Sequence, residues 1–336
     1  MERRTGQRTI NGRKFVFNEH GQMLYEWIYN ATKVVQGSNA QLDDTFADAT
    51  VGVENMLWFQ ENGDGATNGA RLDGWQFISG SKSVGTDGDT NWYYFKKGEA
   101  KHADSTKDNN GLFEIKDKGK LSYQKRMKTK LTWSGKTGTF CFDQNGKMKT
   151  GLQLIGNKTF FFDDDGYMKT GKVANVEEAD NDTFAYYFDT KGSDKGRGYT
   201  GVKDGILYMG GKRLEASDDN KVYYVNGEFY LVNSKGRVQK SGKKKVELLG
   251  GGVEEDCQVT VSDRKSGKLT SLSNVDLKDV AEVPHIQLED TDNFIIENGG
   301  KLLVLTADDM TEAGLYNKDE VTIADLQKLG LYADAE

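Results

Sequence analysis

Residues 135–172 read Gly135-Lys-Thr-Gly-Thr-Phe140-Cys-Phe-Asp143-Gln-Asn-Gly146-Lys-Met148-Lys-Thr-Gly151, then Leu152-Gln-Leu-Ile-Gly-Asn-Lys-Thr-Phe160-Phe-Phe-Asp163-Asp-Asp-Gly166-Tyr-Met168-Lys-Thr-Gly171-Lys172. The second half restates the first: Gly146 recurs as Gly166, Met148 as Met168 and Gly151 as Gly171, a period of 20 residues. A fixed period of this size marks an array of small supersecondary units. Each unit reads as one β-hairpin. Phe140–Phe142 and Phe160–Phe162 are aromatic strands, suited to a pleated, half-buried surface. Asp143–Gly146 and Asp163–Gly166 are turns, in which Asp and Asn bond back to the local backbone and Gly takes the left-handed position. The Met-Lys-Thr stretches are the return strands. A single hairpin cannot bury its aromatic face, so the units must stack into an all-β solenoid.

The same unit is legible on both sides. Towards the N-terminus, Phe15–Phe17 is followed by a turn to Gly21, then Met23 and Glu26-Trp27. Residues 28–57 do not fit and read as an irregular insertion, either a long surface loop or a short helix. The pattern returns at Leu57-Trp58-Phe59, with Gly69 and Gly74-Trp75 at the spacing of Gly146 and Gly151, and again at Trp92-Tyr93-Tyr94-Phe95 with Gly98. Phe113-Glu114-Ile115 leads to Gly119. After the two clean units come Tyr186-Tyr187-Phe188 with Gly192, Ile206-Leu207-Tyr208 with Gly211, and Val222–Val225 and Phe229–Leu231 with Gly236. Nine glycines, at 21, 69, 98, 119, 146, 166, 192, 211 and 236, serve as turn anchors.

The pattern ends at Lys243-Lys244-Lys245. Residues 243–336 carry 10 Lys and Arg against 20 Asp and Glu, and hold no Trp. Gln258–Val261, Phe294–Ile296 and Leu302–Leu305 read as short strands, and Thr322–Leu329 as a helix capped by Thr322 and stopped by Gly330. The expected organisation is therefore a repeat array over 1–242 and a small acidic α/β segment over 243–336.

Composition narrows the functional classes. The 336-residue chain has 40 Gly, 16 Phe and 15 Tyr, as a hairpin array requires, and a net charge of −7 argues against nucleic acid. No apolar run is long enough to span a bilayer. The N-terminus lacks the apolar core of a secretion signal, yet the chain starts almost inside a repeat, as a fragment or processed form of a larger protein would. Cys141 and Cys257 lie far apart without metal-ligand spacing. Asp87–Asn91 resembles the first half of a calcium loop but lacks the sixth-position Gly and the final Glu, so no metal or cofactor is assigned. His20, His102 and His285 are scattered with no nucleophile motif, and most acidic residues fall in turns; no catalytic residue is proposed and the chain is not expected to be an enzyme.

The unit Asn-Gly-x-Lys, aromatic triplet, Asp-x-x-Gly-x-Met-x-Thr-Gly, aromatic resembles the cell-wall-binding repeat family, over roughly residues 10–242. That family includes choline-binding repeats and the related clostridial glycan-binding repeats. The resemblance implies a left-handed β-solenoid with ligands in aromatic grooves between hairpins, on an extracellular surface protein. It places ring cages, which hold a quaternary ammonium by cation–π attraction, at Trp27 and Trp75, with Trp58, Trp92 and Tyr94 as partners and Met23 as a wall. Later units carry Leu152, Lys172 and Val202 where the family has tryptophan, so units after Gly119 are expected to be structural, and Trp133 matches no cage position. The function expected is non-catalytic binding of a cell-wall polymer, through choline or glycan. The alternatives are a structural spacer presenting 243–336 to a protein partner, or the targeting part of a larger lysin or toxin.

Overall fold

The computed structural model describes residues 6–29, 51–61, 65–86, 88–104, 110–117, 120–288, 294–315 and 320–332, with 110–117 and 120–125 described by backbone alone. Most of the insertion expected at 28–57, and Asp87 and Gly119, lie outside the described residues. The chain is all-β in character, mostly a succession of small antiparallel sheets, with three short α-helices near the C-terminus among the described residues. It divides into two compact units: Met1–Asn110 with Lys125–Lys149, and Gly111–Gln124 with Thr150–Glu336.

The repeat is framed differently from the sequence expectation. The longer strand pairing does not join an aromatic triplet to the Met-Lys-Thr stretch that follows it. It joins the stretch after Thr-Gly to the next aromatic triplet. Gly151–Leu154 pairs with Thr159–Phe162, Gly171–Glu177 with Thr183–Phe188, Glu26–Tyr29 with Met56–Phe59, and Gly74–Ser79 with Thr90–Lys96. The return stretch contributes only brief pairing, at Phe17↔Met23, Phe162↔Met168 and Phe142↔Met148. The reason lies in the turn. In Asp143–Gly146, Gly146 N–H donates to Asp143 O, and Asp143 Oδ1 accepts from Asn145 N and Lys147 N. Asp163 Oδ1 takes Tyr167 N in the same way, and Asn18 and Asn233 repeat the device with Gln22 N and with Lys235 N and Arg237 N. The side chain therefore occupies backbone donors that a longer ladder would need, and the chain is released after one or two pairs.

Within each unit the hairpins stack through their buried rings. In the first, Trp27 and Trp58 pack on Tyr93 and Phe95. In the second, Phe161 stacks on Phe188, and Tyr186 on Phe188, inside a core with Leu154, Leu207 and Val225. Met23 lies against the turn glycine Gly69, where a β-carbon would overlap its sulfur. Gly69 also has φ 75°, so backbone and packing both require glycine.

The compositional boundary at 242/243 is not a break in the fold. A six-stranded sheet runs in the order Lys243–Glu247, Val253–Val261, Leu269–Leu272, Glu228–Asn233, Asn220–Val225, Ala281–Glu282. It joins the last hairpin to the acidic segment, with Val222 and Ala281 in parallel register. The outward apolar positions Val222 and Leu231 are buried beneath Val259, Leu269, Val283 and Ile296. A terminal repeat has no neighbour to cover it, and residues beyond 243 supply that cover. Polar links fix the junction. Glu178, 3% exposed, accepts from Tyr186 Oη at 2.6 Å, Lys212 Nζ at 3.1 Å and Gln287 N at 3.1 Å. Lys221 bridges Glu282 and Glu320. The helix expected at Thr322–Leu329 is present as Ile323–Lys328, with Thr322 and Asp325 forming a reciprocal capping box.

Gly198 provides a direct test of how tightly the hairpins interlock. Its N–H donates to Thr159 O, and a β-carbon there would overlap Thr159 Oγ1 and the carbonyl of Gly210, whose carbon would lie at 2.6 Å. The Gly210 backbone cannot yield, and the Thr159 hydroxyl is held by its own hydrogen bond to Gly210 O, so Gly198→Ala is expected to cost about 2–4 kcal/mol in urea unfolding. Gly192→Ala, at φ 74° with open space around it, should cost only about 1 kcal/mol.

Candidate functional site

The hairpin Gly74–Ser79/Thr90–Lys96 separates its rings by alternation. Trp75 faces Tyr94 across the pair, and Phe77 faces Trp92, so these four share one side. Tyr93 and Phe95 point the other way and are fully buried against Trp27 and Trp58. The first side is half open to solvent and receives a third hairpin, whose strands Lys120–Trp133 and Lys136–Asp143 put Trp133 opposite Lys136. Both turn residues, Ser134 at φ 46° and Gly135 at φ 78°, have positive φ. That is the tight two-residue turn whose twist matches paired strands, and it holds Trp133 at the hairpin tip.

The result is a continuous ladder of rings. Phe77 lies 5.0 Å from Trp92, Trp92 lies 4.7 Å from Trp133 at 62°, and Trp133 stacks on Trp75 at 4.6 Å and 19°. Trp75 continues onto Phe140 at 4.8 Å and meets Tyr94 edge-on at 5.2 Å. The Trp75 indole N–H donates to Thr132 O at 3.0 Å, which fixes the ring plane. Phe77, at 58% exposed, carries the largest fractional exposure of any large apolar residue described.

The expected site residues fall into two groups. Trp75, Trp92 and Tyr94 come together on this surface. Trp27 and Trp58 do not reach it: they are direct cross-strand partners, 4% and 5% exposed, with the Trp27 N–H donating to Ser79 O at 3.2 Å. The exposed grooves expected at these two positions are absent, because their faces are covered by Tyr93 and Phe95. Met23 packs on Gly69. Trp133, assigned to no cage position, is central to the ladder, and Phe77 and Phe140 complete it. The signal for Trp133 was its place beside the Ser134-Gly135 turn pair.

Titratable groups elsewhere have local explanations. Cys141 is wholly buried, and burial pushes its thiol up to about 12, with Arg126 opposing. His20 is exposed beside Glu19, and His102 meets Ala100 O. His285 Nδ1 is shielded from solvent with no protein hydrogen-bond partner, while Lys212 Nζ donates to the carbonyl of the same residue. Among the described residues no group of three or more His, Cys, Asp and Glu is placed to hold a metal ion, and no helix is long and apolar enough to cross a membrane.

No protein-family model matches the chain, and no characterised protein matches it by sequence. The chain is similar in structure to solved choline-binding proteins. CbpJ from Streptococcus pneumoniae TIGR4 is similar over 89% of this chain and 87% of its own, at 16% identity and a TM-score of 0.40. Choline-binding protein F from Streptococcus pneumoniae is similar over 89% and 86%, at 14% identity and a TM-score of 0.26. Alternansucrase in complex with isomaltononaose is similar over 79% of this chain and 18% of its own, at 17% identity and a TM-score of 0.22.

His285 makes stability depend on acid. Burial first, and Lys212 second, lower its pKa from 6.5 to about 4. The folded chain keeps the ring neutral where the unfolded chain would protonate it. The contribution is thus fully present above pH 6.5 and lost as pH falls towards 4. Allowing for its partial exposure, the loss is about 2 kcal/mol. Denaturant titrations at pH 7.5 and pH 4.5 should show this difference in the native chain and a smaller one in His285→Gln.

Proposed function

We propose that the chain is a non-catalytic binding module for a cell-wall polymer outside the cell, and that it holds sugar rings of that polymer on the Phe77–Trp92–Trp133–Trp75 ladder. The observation that carries this reading is the aromatic surface itself, with Phe77 mostly exposed and the three indoles partly exposed. Solvent-facing rings fixed in one orientation, with Trp75 tied through its N–H, lose little conformational entropy on binding, which favours them as recognition elements.

Ring spacing favours a sugar over a caged cation at this surface. A quaternary ammonium held between ring faces needs a gap, since it must sit within about 6 Å of each centroid without overlap. Here the indoles of Trp75 and Trp133 touch face to face at 4.6 Å, leaving no slot between them. What the packed indoles leave open to solvent, together with the exposed ring of Phe77, is apolar area of the kind that accepts the C–H face of a pyranose. Indole and phenyl rings have no group that titrates near neutral pH. The surface can hold and orient a ligand but supplies no acid, base or nucleophile.

Titration of tryptophan emission with cell-wall glycan fragments, and in parallel with choline chloride, tests the reading. Glycan fragments should shift the emission, and Trp133→Ala and Phe77→Ala should each weaken retention on purified cell walls by at least about tenfold, with circular dichroism showing that each variant remains folded. Choline that binds and is lost in Trp92→Ala would replace the sugar by a cation at this surface. Retention unaffected by either substitution would leave the rings as packing only.

A further inference from the structure

The acidic segment contains a short duplication. Thr306-Ala-Asp-Asp309-Met310-Thr-Glu312-Ala313-Gly314-Leu315-Tyr316 is restated sixteen residues on as Thr322-Ile-Ala-Asp325-Leu326-Gln-Lys328-Leu329-Gly330-Leu331-Tyr332. Each copy carries a helix, Ala307–Glu312 or Ile323–Lys328, that opens on a Thr–Asp capping box. Each is followed by a glycine at positive φ, 69° at Gly314 and 67° at Gly330. In each the next leucine turns back, Leu315 N–H to Met310 O and Leu331 N–H to Leu326 O.

Both copies line one cavity of about 620 Å³, within the size range of ligand sites. Ala313 and Leu329, at equivalent positions, give it apolar walls together with Leu331. Four consecutive residues of the strand Lys301–Leu305, Leu302 to Leu305, also line it. Leu302 and Val304 pack into one core cluster, and Leu303 and Leu305 into another, so the strand's side chains alternate between two cores. A space that touches all four residues therefore runs along the strand's edge, beside its backbone. One edge is paired throughout with Phe294–Asn298. On the other, among the described residues, the only pairing is Leu305 with Lys116.

An open edge presents N–H and C=O groups spaced to pair with a second extended chain. An apolar molecule without amides would bury these groups without giving them partners. Charge narrows the occupant further. Lys328 Nζ is already bonded to Asp325 Oδ1 at 3.3 Å. Asp309 and Glu312 also line the cavity, and among the described residues no cation pairs with either. The segment from 243 onward carries 20 acidic against 10 basic residues, so the surrounding charge has the same sign.

We infer that this groove binds an extended peptide of alternating aliphatic and basic residues, added as a strand to the open edge of Lys301–Leu305. Backbone pairing holds the peptide, the apolar walls receive its aliphatic side chains, and Asp309 and Glu312 select its cations.

The test titrates the full chain, labelled with nitrogen-15, with three acetylated and amidated pentapeptides. The first is Val-Lys-Val-Lys-Val and the second Val-Glu-Val-Glu-Val. The third is the first with N-methyl groups on its second and third residues, which blocks both of its edges. The lysine peptide should move the amide signals of Leu302–Leu305, and the other two should bind at least about tenfold more weakly. Glu312→Lys, at an exposed position, should shift the preference towards the glutamate peptide while circular dichroism stays native. Trp133→Ala should leave the lysine peptide's midpoint unchanged, which separates this inference from the reading of the aromatic surface. The inference is overturned if the lysine peptide leaves those amides unmoved at millimolar concentration, or if the N-methylated peptide binds as well. Decanoate moving the same signals where the peptides do not would overturn it in favour of a lipid chain. Sedimentation showing a dimer that shifts these amides without peptide would overturn it in favour of a second copy.

Discussion

The fold depends on one local device, a carboxylate or amide at the start of a reverse turn that captures the backbone N–H four residues ahead, with glycine at the third position beyond it. Asn18, Asp143, Asp163 and Asn233 each do this before Gly21, Gly146, Gly166 and Gly236, all at positive φ, and Asp143 and Asn233 also take the N–H two residues ahead. The turn fixes where each aromatic strand ends and prevents the next residues from extending the ladder. The chain must then start a new hairpin, and that hairpin has no route to stability except packing on the one before it. A locally determined turn thus dictates a globally repetitive array.

The same constraint explains which parts were legible from sequence. Turn positions, aromatic strands and the capped C-terminal helix were readable because their signals are local: an Asx residue, a glycine, alternating rings, Thr322 with Asp325. The pairing frame was not, because Phe162 can pair forwards to Met168 or backwards to Gly151, and both lie at hairpin distance. What decides is the number of donors left free by the Asp163 side chain, a hydrogen-bond count that residue type alone does not reveal. The junction at 242/243 was hidden for the opposite reason. Composition changes sharply there, yet Val222 and Leu231 still need cover, and burial takes it from whatever strands follow.

Trp27, Trp58, Trp75 and Trp92 illustrate how far a site can be read from residue type. All four occupy aromatic positions of the repeat, and one hairpin's alternation separates their fates. Rings level with Tyr93 and Phe95 close the core, while rings level with Trp75 and Phe77 face out. A one-residue change of register would exchange the two sets. Identity of the residue says that a ring is present; only register says whether it is a floor or a surface. Trp133 lay outside the family spacing altogether and entered the surface by way of a hairpin whose Ser134-Gly135 turn aims it back onto Trp75.

The two aromatic clusters show that ring content alone does not define a ligand. In the tryptophan ladder, faces are in contact and the quadrupoles are largely engaged with neighbouring rings, so what remains available is apolar area on the outside. In the cluster of Tyr187, Tyr199 and Tyr208 the rings meet edge-on or tilted, and the Lys203 ammonium lies beside two of them, Tyr187 and Tyr199. The difference follows from anchoring. Indoles bridge adjacent hairpins by stacking, as Trp75 and Trp133 do under the hold of Thr132 O. Among the tyrosines the rings meet at angles instead, and Lys203, at the neighbouring turn, sets its ammonium beside Tyr187 and Tyr199, with Tyr187 the main cause of its raised pKa.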